Sequence, residues 1–241
     1  MTAVGAVPIR TAVVSGASRG IGFAIARALA ERQVRVVMLA RGERALRQAA
    51  DAIGRQAAPL VCDVADPRAI DAMVELTQEQ FGAAPDVLVN NAGVFRLSAV
   101  HETTVDEFAA ALEVNLTAPF RLLRAFLPAM RDRRSGHIVS IGSIADRVAF
   151  AENAAYAAGK FGLRGLHEVL RAELANSGVR ATLISPGPVD TSLWDPIDPD
   201  NRPGFSPRSA MLRADAVAQA VLYAVTQPAD VSVDELRLSH S

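Results

Sequence analysis

Seven short apolar runs, rich in valine, isoleucine and leucine, alternate along the chain with six longer stretches of helical periodicity. This alternation restricts the fold more than any other feature of the sequence. The runs cover residues 10–15, 34–39, 57–61, 86–89, 136–141, 179–184 and 233–238. Between them, 21–32, 43–55, 67–81, 105–133, 153–177 and 215–227 are rich in Ala and Leu, with apolar residues recurring at helical spacing. Strands joined through helices pair in parallel, and a parallel sheet needs both faces covered. The predicted architecture is therefore α/β, built from βαβ units. Local signals agree: Asp66-Pro67 reads as an N-cap followed by proline at the first helical position, and Thr104-Val-Asp-Glu107 as a capping box. One irregular stretch, 190–213, is rich in Pro and Asp; a segment of this length is a functional lid or a disordered loop. With no internal repeat or low-complexity linker, residues 1–241 read as a single domain, with 190–213 as its substrate lid.

Composition narrows the functional classes. Half of the 241 residues are hydrophobic, enough for one substantial core. The 25 basic and 26 acidic residues nearly cancel, and the one short basic run, 131–134, suits a helix end rather than a nucleic-acid footprint. Cys62 is the only cysteine, which excludes an intrachain disulfide and a cysteine-built zinc site. The first fourteen residues lack the pattern of a signal peptide, and no apolar run reaches the length of a membrane span. The expectation is a cytoplasmic protein with no metal, nucleic-acid or membrane partner.

Residues 12–22 read Ala-Val-Val-Ser-Gly-Ala-Ser-Arg-Gly-Ile-Gly, an apolar strand running into Gly16, Gly20 and Gly22 with a helix at once behind. Small residues let the backbone approach a pyrophosphate, and a helix N-terminus offers unpaired N–H groups to it. Between the first strand and the first helix, such a turn favours a nucleotide site over a simple tight turn. Further on, Tyr156 and Lys160 stand four apart, thirteen residues after Ser143. Residues four apart share a helix face, so an ammonium could lower the phenol pKa from about 10 towards working pH. Alone, the pair fits a core tyrosine beside a solvated lysine better than a functional pair. Asn115, inside a helical pattern, is a poor helix-interior residue because its side chain competes for backbone hydrogen bonds.

Taken together, these motifs resemble the short-chain dehydrogenase/reductase family. The turn is similar to that family's Thr-Gly-xxx-Gly-Ile-Gly, with Ser15 in place of Thr. Asn90-Asn91-Ala92-Gly93 closes the fourth strand, Asn115 lies in Glu-Val-Asn-Leu, Ser143 in Ile-Gly-Ser-Ile-Ala, and Pro186-Gly187 with Thr191 follow the sixth strand. The match covers roughly residues 10–191. The resemblance implies a single-domain, Rossmann-like, doubly wound fold with a seven-stranded, mostly parallel sheet and helices on both faces. It implies hydride transfer between a nicotinamide cofactor and a carbonyl or secondary alcohol, with Asn115, Ser143, Tyr156 and Lys160 as the catalytic set. Tyr156 would be the general acid/base, Ser143 would polarise the carbonyl, and Lys160 would tune the phenol and hold ribose hydroxyls. Asn115 would kink its helix and order a proton-relay water. Cofactor contacts are implied for Gly16, Ser18, Arg19, Gly20, Ile21, Gly22, Arg41, Asp63, Val64, Asn91, Ala92, Gly93, Tyr156, Lys160, Pro186, Gly187, Val189 and Thr191.

At the end of the second strand, where NAD-binding folds carry a carboxylate for the ribose 2′-OH, this chain has Ala40 and Arg41. With Arg19 in the glycine turn, two guanidinium groups can hold a 2′-phosphate, which favours NADP(H) over NAD(H). Arg147, Phe150 and Trp194 are candidate walls of the substrate pocket. The substrate is expected to be a small carbonyl or alcohol, and the resemblance suggests a homotetramer or homodimer. Two alternatives stand: an NAD-dependent alcohol dehydrogenase of the same family, and a catalytically silent nucleotide-binding sensor.

Overall fold

In the computed structural model, which describes residues 8–241, the apolar runs form one seven-stranded sheet. Along the chain run β1 (Thr11–Ser15), α1 (Gly20–Glu31), β2 (Arg35–Ala40), α2 (Glu43–Ile53), β3 (Ala57–Val61), α3 (Pro67–Phe81) and β4 (Val87–Asn90). Then follow α4 (Val105–Leu112), α5 (Ala118–Asp132), β5 (Gly136–Ile141), α6 (Ala154–Glu173), β6 (Val179–Pro186), a short pair β7 (Val189–Asp190) and β8 (Leu212–Arg213), α7 (Ala214–Val225) and β9 (Glu235–Leu238). The order across the sheet is β3-β2-β1-β4-β5-β6-β9, and each pairing is parallel rather than merely most of them. The first seven residues of the expected 1–241 domain lie outside the described residues.

The alternation of side chains along a strand splits the core in two. Val14 belongs to the cluster formed with α1, α2 and α7, whereas Val13, its neighbour, belongs to the cluster formed with α3, α5 and α6. This is why the strands read as continuous apolar runs: both faces of β1 are fully buried. The capping signals hold. The Asp66 side chain accepts from Arg68 N at 2.9 Å, and Thr104 and Glu107 cap each other reciprocally. Among the described residues, no helix is long and apolar enough to cross a membrane.

One expectation needs correction, and one alternative left open is narrowed. The predicted helix over 105–133 is broken by a π-turn at Glu113–Thr117, between α4 and α5. Its extra residue per turn carries Asn115 inward, and Gly159 and Gly162 of α6 let the turn sit close. A Cβ on Gly159 would lie 2.8 Å from the Asn115 Cβ, and one on Gly162 would lie 2.7 Å from a Leu116 methyl. The irregular 190–213 stretch is neither open nor disordered, because β7 pairs with β8 and Arg208 staples the segment. The Arg208 guanidinium reaches Asp190 at 2.8 Å and Asp195 at 2.6 Å, while its backbone N–H donates to Asp200 at 2.8 Å. Three of the four aspartates in the segment converge on this one arginine, and Asp198 instead accepts from Asn201 Nδ2 at 2.9 Å.

Candidate active site

Strand order reverses between β1 and β4, and at such a switch point the flanking loops part to leave a crevice at the carboxyl ends of the strands. A cavity of about 490 Å³ opens there. All the residues expected to contact the cofactor line it, from Gly16 to Thr191, and so does Ser143. Asn115 does not line it; it stands behind the wall.

The glycine turn is built by close approach. Gly16 has φ +66°, and a Cβ there would lie 2.9 Å from the Ala92 Cα; a Cβ on Gly22 would lie 2.3 Å from the Gly16 carbonyl oxygen. Only hydrogen fits at these positions, which keeps the N-terminus of α1 open to the cavity. Ser15 stitches β1 to β4. Its hydroxyl donates to the Val89 carbonyl at 3.2 Å and accepts from the N–H groups of Asn91 and Ala92, each at 3.0 Å. The Asn91 amide donates to the Ser15 and Gly16 carbonyls at 2.8 and 3.2 Å, so this side chain supports the turn from beneath. Around the rim, Arg19 and Arg41 are exposed and have no carboxylate partner among the described residues. Asp63 is the one acidic side chain of the lining; its Oδ1 accepts from Ala65 N at 3.0 Å. This donor set fits a phosphorylated dinucleotide: backbone N–H groups for the pyrophosphate, two free guanidinium groups for a further phosphate, and a carboxylate for an amino group. Cys62 beside Asp63 is buried, and that burial, with Asp63 and Asp66, pushes its thiol up to about 11, so it is no nucleophile.

At the other end, Ser143 follows β5 and starts a short 3₁₀ turn. Its hydroxyl accepts from Ala145 N at 3.1 Å, which leaves its proton free to donate. Tyr156 and Lys160, on α6, share one face as expected, with the Lys160 Nζ 5.6 Å from the Tyr156 ring centre. The electrostatics differ from expectation. Burial pushes the Tyr156 phenol up to about 12; a hydrogen bond from Ser143 pulls the other way, and the Asp146 carboxylate raises it further. Lys160 is 4 % exposed, and its ammonium donates to the Ile141 carbonyl at 2.8 Å. Burial pulls Lys160 down to about 8, against the opposing pull of Asp146. Asn115 clamps the loop after β4: its Oδ1 accepts from Val94 N at 3.1 Å and its Nδ2 donates to the Val94 carbonyl at 2.9 Å.

Sequence reasoning passed over Asp146. This carboxylate is fully buried beside the site, accepting from Ser143 N at 3.3 Å and Arg147 Nε at 2.8 Å, and from the Ser185 hydroxyl. Room for it exists because residue 142 is glycine: a Cβ there would lie 2.6 Å from the Asp146 Oδ2 and 2.9 Å from the Ser185 Oγ. The legible signal was Gly142 four residues before an Asp-Arg pair. Arg147, expected on the pocket wall, is absent from it; its guanidinium is held between Asp146 and Glu235. Phe150 and Trp194 do line the cavity, as expected, and with them Leu193, but the rest of the lid segment from residue 195 onward does not.

A family model described as short chain dehydrogenase matches residues 10–202. Uncharacterized oxidoreductases of Staphylococcus saprophyticus and Staphylococcus aureus are 37% and 34% identical to this chain, each over 94% of it and 95% of their own length. Among solved structures, a metagenomic short-chain oxidoreductase in complex with NADP is 36% identical, over 96% of this chain and 98% of that one, with a TM-score of 0.82. An alcohol dehydrogenase from the archaeon Thermococcus sibiricus, complexed with 5-hydroxy-NADP, is 30% identical over 97% of both chains, with a TM-score of 0.85. A variant of actinorhodin polyketide ketoreductase with NADPH is 31% identical over 96% of both chains, with a TM-score of 0.87.

Proposed function

This chain is an oxidoreductase of the short chain dehydrogenase family, and on that premise we propose that it is an NADP(H)-dependent carbonyl reductase with Tyr156 as general acid. The observation that carries the reading is the convergence of Ser143, Tyr156 and Lys160 on a cavity whose far end is the glycine turn with two unpaired arginines. When bound, the nicotinamide supplies the hydride. Tyr156, held protonated at neutral pH by a pKa raised to about 12, gives its proton to the carbonyl oxygen as charge grows there. Ser143 donates a hydrogen bond to the same oxygen, a donor already in place before charge develops. Lys160 holds ribose hydroxyls with the N–H bonds left after its bond to Ile141, and passes protons back to Tyr156. Asn115 holds the Val94 turn in position and, through the backbone opened by its π-turn, a relay water for Lys160. Arg19 and Arg41 grip the 2′-phosphate, Asp63 and Val64 take the adenine, and Pro186, Gly187, Val189 and Thr191 wrap the carboxamide end. The start of the lid segment, Leu193 and Trp194, covers the substrate. The exposed Phe161 and Val169 of α6 offer an apolar face to a second copy of the chain, which light scattering tests.

An NADPH-oxidation assay over a panel of carbonyls tests the reading. Tyr156→Phe should cut turnover by at least about 10²-fold, with NADPH affinity unchanged, and Ser143→Ala should also slow it. Turnover retained in Tyr156→Phe removes the phenol from the mechanism. NADPH binding with no turnover of any carbonyl points to the silent sensor, and faster turnover with NAD⁺ and alcohols to the oxidative alternative.

A further inference from the structure

The chain is poor in aromatic residues, with nine Phe, two Tyr and one Trp in 241. Three of the Phe, one Tyr and the Trp gather at one mouth of the cavity. Phe95 stands edge-on to Tyr156, with ring centres 4.8 Å apart at 63°, and edge-on to Trp194 at 5.2 Å and 71°. Phe205 backs Trp194 from the lid at 6.0 Å and 67°. Phe150 lines the same cavity and is 41% exposed. These are the edge-to-face arrangements that aromatic pairs prefer, so the wall is a built one.

The wall is also fixed. The Trp194 indole N–H donates to the Val189 carbonyl at 3.1 Å, which locks the ring and leaves it no donor for a ligand. Arg202 lies over the Phe205 ring at 5.2 Å and pairs with Glu152, tying the lid to the loop that carries Phe150. Charge is absent from this end of the cavity. The charged side chains of the lining are Arg19, Arg41, Asp63 and Lys160; the first three belong to the glycine-turn and β2–β3 end, and Lys160 is buried against Ile141. Burying a carboxylate or phosphate against such a wall would leave it unpaired.

We propose that the substrate is a neutral aromatic ketone, its ring held against Phe95, Phe150 and Trp194 while its carbonyl oxygen reaches Ser143 and Tyr156. This rests on the reductase reading above and adds the substrate class to it. The carbonyl π bond breaks as the carbon gains a hydride from NADPH, which leaves as NADP⁺. The oxygen takes the Tyr156 proton to become the alcohol, and solvent returns a proton to Tyr156. The rings give selectivity through flat, face-and-edge contact, which a saturated ring of the same size cannot make.

The test compares acetophenone, cyclohexyl methyl ketone and para-acetylbenzoate as substrates of the full chain with NADPH. The expected kcat/KM for acetophenone exceeds that for the cyclohexyl ketone by at least about tenfold, the scale of two aromatic contacts, and that for para-acetylbenzoate by at least about tenfold through the cost of burying an unpaired carboxylate. Phe150→Ala should narrow the acetophenone-to-cyclohexyl ratio by about threefold or more, one such contact. Trp194 is the only tryptophan, so its fluorescence reads binding without turnover. Acetophenone should quench it saturably, beyond the collisional quenching of N-acetyltryptophanamide. Turnover of the cyclohexyl or the charged ketone as fast as acetophenone overturns the substrate class and leaves the reductase reading intact. No turnover of any ketone, with saturable Trp194 quenching, overturns the reductase reading and keeps the aromatic site. Absence of saturable quenching overturns the site itself.

Discussion

Replacing Lys160 by methionine should make the folded protein more stable at pH 7 while abolishing turnover. Lys160 is 4 % exposed, and burial lowers its pKa from 10.5 to about 8. Each tenfold change in proton affinity is worth about 1.4 kcal/mol, so keeping this lysine charged in the fold costs about 3 kcal/mol. The variant loses a charge-assisted hydrogen bond to the Ile141 carbonyl, about 1.5–3 kcal/mol, and keeps an unbranched, helix-compatible side chain. The net gain is up to about 1.5 kcal/mol, or up to about 3–6 °C in Tm for a chain of this size. The gain has a pH signature. The folded pKa lies below the unfolded one, so the wild type carries the whole cost below pH 8. It sheds that cost as the pH rises from 8 to 10.5, where the folded protein releases its proton before the unfolded chain does. The advantage of the variant should therefore be full at pH 7 and fade towards pH 10. Thermal and denaturant unfolding of both proteins at the two pH values, alongside NADPH oxidation, measures it. A variant less stable than the parent at pH 7, or a difference that ignores pH, refutes the assignment of Lys160 as a buried cation held at a cost.

Arg41→Ala should weaken NADP⁺ binding by about 10–100-fold, the worth of a charge-assisted phosphate contact, with a far smaller effect on NAD⁺; titration calorimetry showing equal losses would overturn the cofactor preference. The rate of reduction should fall as the pH rises through about 8, where Lys160 loses its proton, and a rate that stays flat to pH 9.5 would remove the charged lysine from the mechanism. Asp146→Asn should move that fall to lower pH, because the Asp146 charge is what raises the Lys160 pKa. It should also cost about 1.5–3 kcal/mol in stability, since the new NH₂ must face either the Ser143 N–H or the Arg147 guanidinium. Unchanged stability together with an unmoved pH profile would show that the carboxylate positions nothing.

What was legible in the sequence was whatever depends on near neighbours along the chain. The strands and five of the six helices follow from periodicity, and the caps at Asp66 and Thr104 from the residue types themselves. The cavity lining was readable through the resemblance of its motifs to the short-chain dehydrogenase/reductase family, and a parallel sheet brings the loops that carry them to one edge. What failed depended on partners distant in sequence. Arg147 looked like a pocket residue because its partner Glu235 lies 88 residues away. The direction of the Tyr156 pKa could not be read from Lys160 alone, since it is set by burial and by Asp146. The π-turn at Asn115 is understandable only beside Gly159 and Gly162, which belong to another helix. The stapling of the lid needed Arg208 to be seen among three separate aspartates.

These failures share a physical origin with the site itself. A buried ammonium, a π-turn and a fully buried Asp146 are each locally unfavourable, and each persists because the surroundings leave it no alternative. Local sequence rules describe what a segment prefers, so they fail where tertiary structure overrides preference. Here those positions are Asp146 on the turn after β5, Lys160 on α6, and the π-turn packed against α6. The remainder of the fold, two apolar layers on a parallel sheet, supplies the stability that holds them there. It follows that substitutions removing one of these strained or charged features should separate into two kinds. Those that delete a buried charge whose burial cost exceeds its one hydrogen bond, such as Lys160→Met, relax the fold. Those that delete one member of a satisfied cluster, such as Asp146→Asn, leave its partners buried and unpaired, and weaken it.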